Sequence, residues 1–411
     1  MKKSVILLLA LFLVSCSQVS NTPAQILYEL TREKQADSFD FTQVNINQVD
    51  IIKVNDVGLD TFEKLTKENK NQVYSPLSTY LAISMLVPMA KTSSQKELLT
   101  FLKQESVDEL VALNRSLIQS IEFDKEKGLS KLANSVWMQD DETFNMELLE
   151  SIGKDFFASL YGIDFVNEEE TKKAITDWIN KETNNFIKEI DVQTDPETVL
   201  SLINTIYFNN QWLESFEKEA NVKDEFKTTS GVVTAEYMRK KFDTYLYKET
   251  DKYQGMSVDY HYGYKAHLVL PSDELSVDYV REYLENTVSS YRQAYIVDLW
   301  LPKFDVSSTH SLVEVTKELG LSEVFTEASQ LYPYEDARTV MISKIQQQAR
   351  IQIDEKGTVA AAYTKIDMRP TSSMDQPIRR DLKLNQPFYF VITNHQGVIT
   401  FITLVNNPVA G

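Results

Sequence analysis

Residues Asp354 to Thr364 read Asp-Glu-Lys-Gly-Thr-Val-Ala-Ala-Ala-Tyr-Thr, and a polar, proline-containing stretch follows as far as Pro387. A run of small residues led by a Gly-Thr pair suits a segment that moves and then packs tightly in a new place. As a β-strand, residues 358 to 369 would send alternate side chains to opposite faces. One face would carry Thr358, Ala360, Ala362, Thr364, Ile366 and Met368, all small or apolar. The other would carry Val359, Ala361, Tyr363, Lys365, Asp367 and Arg369, so every charge falls on one side. The same residues are also compatible with an alanine-rich helix or a solvated loop, and local pattern alone leaves the three open.

The rest of the chain decides between them by resemblance. Asp354-Glu-Lys-Gly-Thr-x-Ala-Ala-Ala resembles the hinge of the serpin family. Asn71-Gln-Val-Tyr-Ser75-Pro76-Leu-Ser78 resembles the start of the family's second helix, and Lys131-Leu-Ala-Asn134-Ser-Val-Trp137 one of its strands. Asn204-Thr-Ile-Tyr-Phe208-Asn-Asn-Gln-Trp212 resembles its Asn-x-Ile-Tyr-Phe-x-Gly-x-Trp block. Leu301-Pro302-Lys303-Phe304, Leu319-Gly320-Leu321, Ser343-Lys344-Ile345, Asn385-Gln-Pro387-Phe388-Tyr-Phe390 and Asn407-Pro408 follow in the family's order. Each block alone is weak; their order over residues 50 to 411 is not. The resemblance implies a mixed α/β fold with three β-sheets, about nine helices and an exposed reactive-centre loop. The expected boundaries are 49–411 for that domain and about 357–381 for the loop.

The function implied is a suicide-substrate protease inhibitor rather than an enzyme. A protease attacks the loop, forms its acyl-enzyme, and is dragged to the far pole as the severed loop enters the large sheet. Insertion must outrun hydrolysis of the ester, so the outcome is kinetic. In that scheme Glu355, Gly357, Thr358, Ala360, Ala361 and Ala362 form the hinge. Gly357 supplies backbone freedom, and Thr358 is the first side chain buried, where a charge would carry a desolvation cost. Ser75, Ser78, Asn204 and Gln347 match the polar cluster beneath the point where the sheet parts. Trp212 matches a tryptophan near the first insertion site, and Lys303 pairs with Glu355 where the loop leaves the sheet. Counting from Gly357 places the reactive bond at Thr371-Ser372, which favours elastase-like or subtilisin-like proteases with small pockets. Counting back from Pro387 gives Gln376, and Met368, Arg369 and Met374 are further candidates, although Pro370 follows Arg369.

Four positions depart from the family. Gln347 replaces a histidine and can donate and accept hydrogen bonds but cannot titrate. Asn210 stands for a glycine, a substitution read as tolerance of left-handed backbone. Val359 replaces a glutamate, and Thr403 a glycine. An alternative reading within the family is a non-inhibitory member, a binding protein or plain substrate. Such members often carry bulky or charged residues on the inserting hinge face, and this chain does not.

The N-terminus reads separately. Met1-Lys-Lys and the apolar run Val5 to Val14 are too short to span a bilayer, and Leu13-Val14-Ser15-Cys16 resembles a bacterial lipobox. The expectation is a signal peptide over 1–15, lipidation at Cys16, and a polar tether over 16–48 holding the domain off the bacterial outer membrane or cell surface. Cys16 is the only cysteine, so no intramolecular disulfide forms and stability must come from packing.

Charge and motifs exclude other classes. A net charge of −18, more negative still once Lys2 and Lys3 are removed, disfavours nucleic acid and activation by polyanions. His261, His267, His310 and His395 show no metal-ligand spacing, and His261 and His267 read as surface or packing residues. No nucleophile elbow, phosphate loop or dinucleotide fingerprint occurs, so no cofactor and no metal are expected. The expected partners are serine proteases, with cysteine proteases as a further class, met by a monomer. Helical spacing of Trp178, Ile179, Phe186, Ile187 and Ile190 predicts an amphipathic helix over Ala174 to Ile190. Leu200 to Phe208, Phe388 to Ile392 and Val398 to Val405 read as buried strands.

Overall fold

The computed structural model describes residues 25–28, 44–66, 70–187, 197–244, 246–287, 293–358 and 377–410. Helix α1 (Gln48–Leu65) opens at Asn47, whose side chain accepts from the Val49 amide and satisfies one of the helix's orphan donors. Helix α2 (Pro76–Ser84) opens at Ser75 with proline in its first turn, and nearly all of its side chains are buried. A helix apolar on every side belongs in an interior. Helices α3 (Thr92–Phe101), α4 (Val107–Ile121) and α5 (Met146–Asp155) follow. Then come α6 (Glu168–Glu182), α7 (Val277–Thr287) and α8 (Val313–Glu318).

The described strands form four hydrogen-bonded sheets. The first joins β1 (Gln25–Tyr28), β5 (Ala158–Ile163), β4 (Gly128–Gln139), β6 (Leu200–Gln211) and β15 (Gly357–Thr358) in that order, with β3 (Phe123–Lys125) also on β4. The second runs β2 (Gln72–Tyr74), β18 (Ile399–Val405), β17 (Phe388–Thr393), β11 (Lys265–Pro271), β10 (Tyr253–Asp259), β9 (Tyr247–Glu249). The third runs β16 (Ile378–Lys383), β12 (Tyr295–Pro302), β8 (Gly231–Thr244), β7 (Val222–Thr228). The fourth is the hairpin of β13 (Phe304–Ser311) and β14 (Gln346–Ile353). Four sheets stand where three were expected, because no ladder among the described residues joins β14 to β6. Eight α-helices are described, against about nine expected.

The three predicted strands are found, but β6 is buried only from Thr205 to Phe208 of its predicted stretch, and Leu200 to Asn204 are half-buried. Every residue of β17 and β18 is buried, which is why these strands read as unbroken apolar runs rather than alternating ones. The amphipathic helix is displaced toward the N-terminus. It is α6, with Asn167 as its cap and Glu168, Glu169 and Glu170 favourably placed in its first turn. It ends at Glu182 because Asn184 and Asn185 take φ of 51° and 58° and turn the chain. Ile187 lies beyond the helix but still joins Trp178 and Ile179 in the cluster on Trp137 and Tyr161. Ile190 lies outside the described residues. Thus α6 covers one face of the β4–β5 region.

Two parts of the 16–48 segment touch the fold. Ile46 is buried, and its amide donates to Gln396. Strand β1 pairs antiparallel with β5, Gln25 opposite Gly162 and Tyr28 opposite Leu160, and so occupies an otherwise open sheet edge. A chain beginning at residue 29 should therefore exchange amide hydrogens faster within 158–163, and not in β14, by hydrogen-exchange mass spectrometry.

Candidate functional site

The parting between β6 and β14 is the centre of the site. Both strands flank the buried N-terminus of α2, where a polar network bridges them. Gln347 on β14 accepts from the Ser75 amide at 2.8 Å and donates to the Ser75 carbonyl and Thr79 Oγ1, both at 2.9 Å. Ser75 Oγ donates to the Thr400 carbonyl at 2.8 Å, and the Ser78 amide to Ser75 Oγ at 3.3 Å. From Ser78 the network passes to Asn204 on β6, then to Asn134 on β4, which donates to the Phe156 carbonyl at 2.6 Å. Thus Ser75, Ser78, Asn204 and Gln347 do come together, and Thr79, Asn134 and Thr400 complete a set that sequence reasoning left unfinished. Gln347 belongs to β14, and its amide both donates and accepts, as a glutamine's can. A 20 Å³ cavity lined by Leu200, Leu202 and Ile345 lies farther along the parting.

At the other end of β6 the chain turns tightly. The Asp354 and Gly357 amides and carbonyls bond reciprocally at 3.0 and 3.2 Å, and Asp354 Oδ1 accepts from the Lys356 amide. Gly357 and Thr358 then pair with Gln211 and Asn210 of β6. Gly357 has φ of 136°, and a Cβ there would lie 2.3 Å from the Asn210 carbonyl oxygen. Close approach to β6, as well as backbone freedom, therefore demands glycine. Thr358 is already 2 % exposed. Its hydroxyl lies 2.9 Å from that of Tyr260, a residue the sequence offered no reason to select.

Trp212 and Lys303 hold this turn from two sides. Trp212 Nε1 donates to the Asp354 carbonyl at 3.0 Å, and its ring stacks on Tyr260 at 4.1 Å and 13°. The Trp212 and Phe216 amides donate to the Lys356 and Glu355 carbonyls, each at 2.9 Å. Lys303 Nζ lies 3.1 Å from Glu355 and 2.8 Å from Glu236, and Asn221 donates to both carboxylates. Burial pushes the Glu355 carboxyl up. Its backbone hydrogen bond, Asn221 and Lys303 outweigh that and hold it below the usual range. The Lys303 hydrogen bond is the main cause of the lowered Glu236.

The departures have local consequences. Asn210 is not among the residues with positive φ, so its tolerance of left-handed backbone is not called upon. It sits in the ladder between Gly128 and Thr358, its Nδ2 donating to the His261 carbonyl at 2.8 Å and its Oδ1 buried without a partner. Thr403 is fully buried with its hydroxyl unpaired. Val359, Ala360, Ala361, Ala362, Tyr363 and every reactive-bond candidate (Met368, Arg369, Thr371, Ser372, Met374 and Gln376) lie outside the described residues, as does Cys16.

One arrangement resembles hydrolase chemistry and fails as such. Ser257 Oγ lies 2.7 Å from His267 Nδ1, but Nε2 meets Thr393 Oγ1 at 2.8 Å, where a triad needs a carboxylate. Burial pushes the imidazole down to about 3, so it is buried and neutral. Among the described residues no group of three His, Cys, Asp or Glu could hold a metal.

A family model described as "Serpin (serine protease inhibitor)" matches residues 53–408. The chain belongs to the serpin family. It is 28 % identical to serine protease inhibitor A3K of Mus musculus over 370 residues, 86 % of this chain and 87 % of that one. Human neuroserpin is 26 % identical over 86 % of this chain and 90 % of its own. Among solved structures, tengpin, a thermophilic serpin in its native state, superposes with a TM-score of 0.77 at 25 % identity, over 88 % of this chain and 95 % of that one. Thyroxine-binding globulin, in a complex with thyroxine, superposes at 0.73 and 22 % identity over 88 % and 100 %, a likeness of fold. The α/β serpin fold is thus established.

Two outcomes follow from the site. Gln347→Ala should leave the buried Ser75 amide unpaired and cost about 1–3 kcal/mol in urea unfolding. The Lys303–Glu355–Glu236 cluster stabilises the hinge above the unfolded carboxylate value of 4.5, because the folded values are lowered. That contribution is lost as pH falls through the folded values. Amide exchange at 355–358, corrected for its intrinsic pH dependence, should therefore rise below about pH 4.5, and Lys303→Met should flatten that limb.

Proposed function

We propose that this serpin inhibits proteases as a suicide substrate, trapping the acyl-enzyme by inserting its cleaved loop between β6 and β14. The observation that carries this reading is the join between a parted sheet and a seated hinge. Thr358 enters at one end of the parting, and the residues after it, Val359 to Ala362, are small. A strand entering there would continue the pairing that Gly357 and Thr358 begin on β6 and would reach the edge of β14 that no described strand other than β13 pairs with. Each new ladder bond adds to the driving force. Thr371-Ser372 remains the preferred reactive bond, with serine proteases of small-residue preference as targets and cysteine proteases as a further class.

We also propose that the protein is an exported bacterial lipoprotein, anchored at Cys16 and monomeric. Gln25 lies opposite Gly162, toward the end of the sheet remote from Gly357. With β1 paired, the chain between Cys16 and Gln25 reaches at most ~30 Å. Such an anchor would turn the reactive loop away from the membrane, toward arriving proteases.

A second reading, a binding protein, has one observation in its favour. A cleft of about 480 Å³ lies between α1, α7 and the β10–β11–β17 ladder, lined by Ile51, Leu59, Ser257, His267, Arg281 and Thr393. A thyroxine-binding protein shares the fold.

Mixing the soluble domain with an elastase, a subtilisin-like enzyme and trypsin separates the readings. A denaturant-stable band at the summed mass is expected, and the mass of the released peptide gives the reactive bond. Clean cleavage with no complex for every protease would leave the non-inhibitory reading.

A further inference from the structure

Tyr260 follows the end of β10, and its hydroxyl points at the hinge. The residue is 1 % exposed, stacked face to face on Trp212 and edge-on to Phe208 at 5.6 Å. Its backbone bridges Trp212, and its amide donates to the Tyr264 carbonyl at 2.9 Å. The ring therefore has no freedom to swing. Its hydroxyl meets Thr358 Oγ1 at 2.9 Å inside the protein, where either oxygen can donate. Trp212, on which it lies, also holds the Asp354 carbonyl, so one stacked pair grips both sides of the turn.

We propose that Tyr260 is the seat of the hinge: it fixes Thr358 beside β6 before any cleavage, so that loop insertion starts from a nucleated strand. The proposal rests on the trapping mechanism for its kinetic consequence but not for the contact itself. Ordering the first residues of an incoming strand carries an entropic cost before ladder bonds accumulate. With Gly357 and Thr358 already paired to Gln211 and Asn210, that cost is met in the uncleaved molecule. Insertion then competes with ester hydrolysis from a head start. Tyr260 touches neither the reactive bond nor the protease and is a positioning residue.

Three variants test this. Tyr260→Phe removes the hydroxyl, Thr358→Val removes its partner with little change of shape, and Thr358→Ser keeps the partner. Exchange of the 357–358 amides should rise in Tyr260→Phe and Thr358→Val and stay near wild type in Thr358→Ser. For a trapped protease, the rate of acyl-enzyme formation should not change. The number of serpin molecules cleaved without trapping, per molecule that traps, should rise about fivefold, the factor that one net hydrogen bond represents. The double variant should fall short of the sum of the singles, because both remove one interaction. If Tyr260→Phe only lowers the melting temperature, leaving hinge exchange and partition unchanged, the proposal is overturned and Tyr260 is a core residue. Should Tyr260→Phe fail to fold, unchanged exchange and partition in Thr358→Val overturn it equally. A wild type that traps no protease defeats the inhibitory reading alone, and the exchange comparison still decides the seat.

Discussion

The parting between β6 and β14 is the constraint on which the rest of this structure depends. Among the described residues, beyond the short pairing of Gly357 and Thr358 with β6, no ladder joins these two edges, and unpaired backbone groups in an interior are costly. What spans them is the side-chain network around the N-terminus of α2, from Gln347 through Ser75 and Ser78 to Asn204 and Asn134. Ser75, Ser78, Asn134 and Gln347 are buried and Asn204 partly so, and breaking a contact among the buried groups leaves a donor or acceptor dry, which is costlier than the bond's net worth. Polar side chains thus join the two sides where no backbone ladder does among the described residues. Gln347 serves here without a titratable group, so this link carries no charge at any pH.

The hinge obeys the same logic on a smaller scale. Its turn is fixed from outside by Trp212, Phe216 and Lys303, and from inside by the Asp354–Gly357 exchange of hydrogen bonds. Gly357 fits because nothing larger can approach the Asn210 carbonyl so closely. Thr358 is small enough to be buried and polar enough to meet Tyr260. Together they bring the chain to the mouth of the parting already in strand register. The molecule also tolerates loose ends, one of them at the hinge itself: the Oδ1 of Asn210 and the hydroxyl of Thr403 are buried and unpaired. Each costs on the order of 1–3 kcal/mol, so the packed core of β17, β18 and their neighbours carries the stability that no disulfide supplies.

The sequence was most legible where residue type and position are tied to one physical demand. The apolar runs of β17 and β18 could only be interior strands, and the hinge glycine and threonine carried their own reason. It was least legible where contacts join distant segments. Tyr260 sits in an aromatic stretch that reads as packing until Thr358, far along the chain, is placed against it. The C-terminus of α6 was misplaced because apolar spacing continues through Phe186 and Ile187 while the backbone turns at Asn184 and Asn185. The N-terminal segment read as a polar tether, yet four of its residues add a strand to the sheet edge.

By itself the sequence determined the family, the order of its motif blocks, the small-residue hinge and the absence of an intramolecular disulfide, because these follow from local pattern and residue chemistry. Only the tertiary structure decided that the sheet is parted between β6 and β14, that Gln347 bridges to Ser75, and that Thr358 is seated on Tyr260. Those facts depend on which groups meet across 98 residues, for Tyr260 and Thr358, or 272, for Ser75 and Gln347, and hydrogen bonds between such groups leave no periodicity in the chain to read.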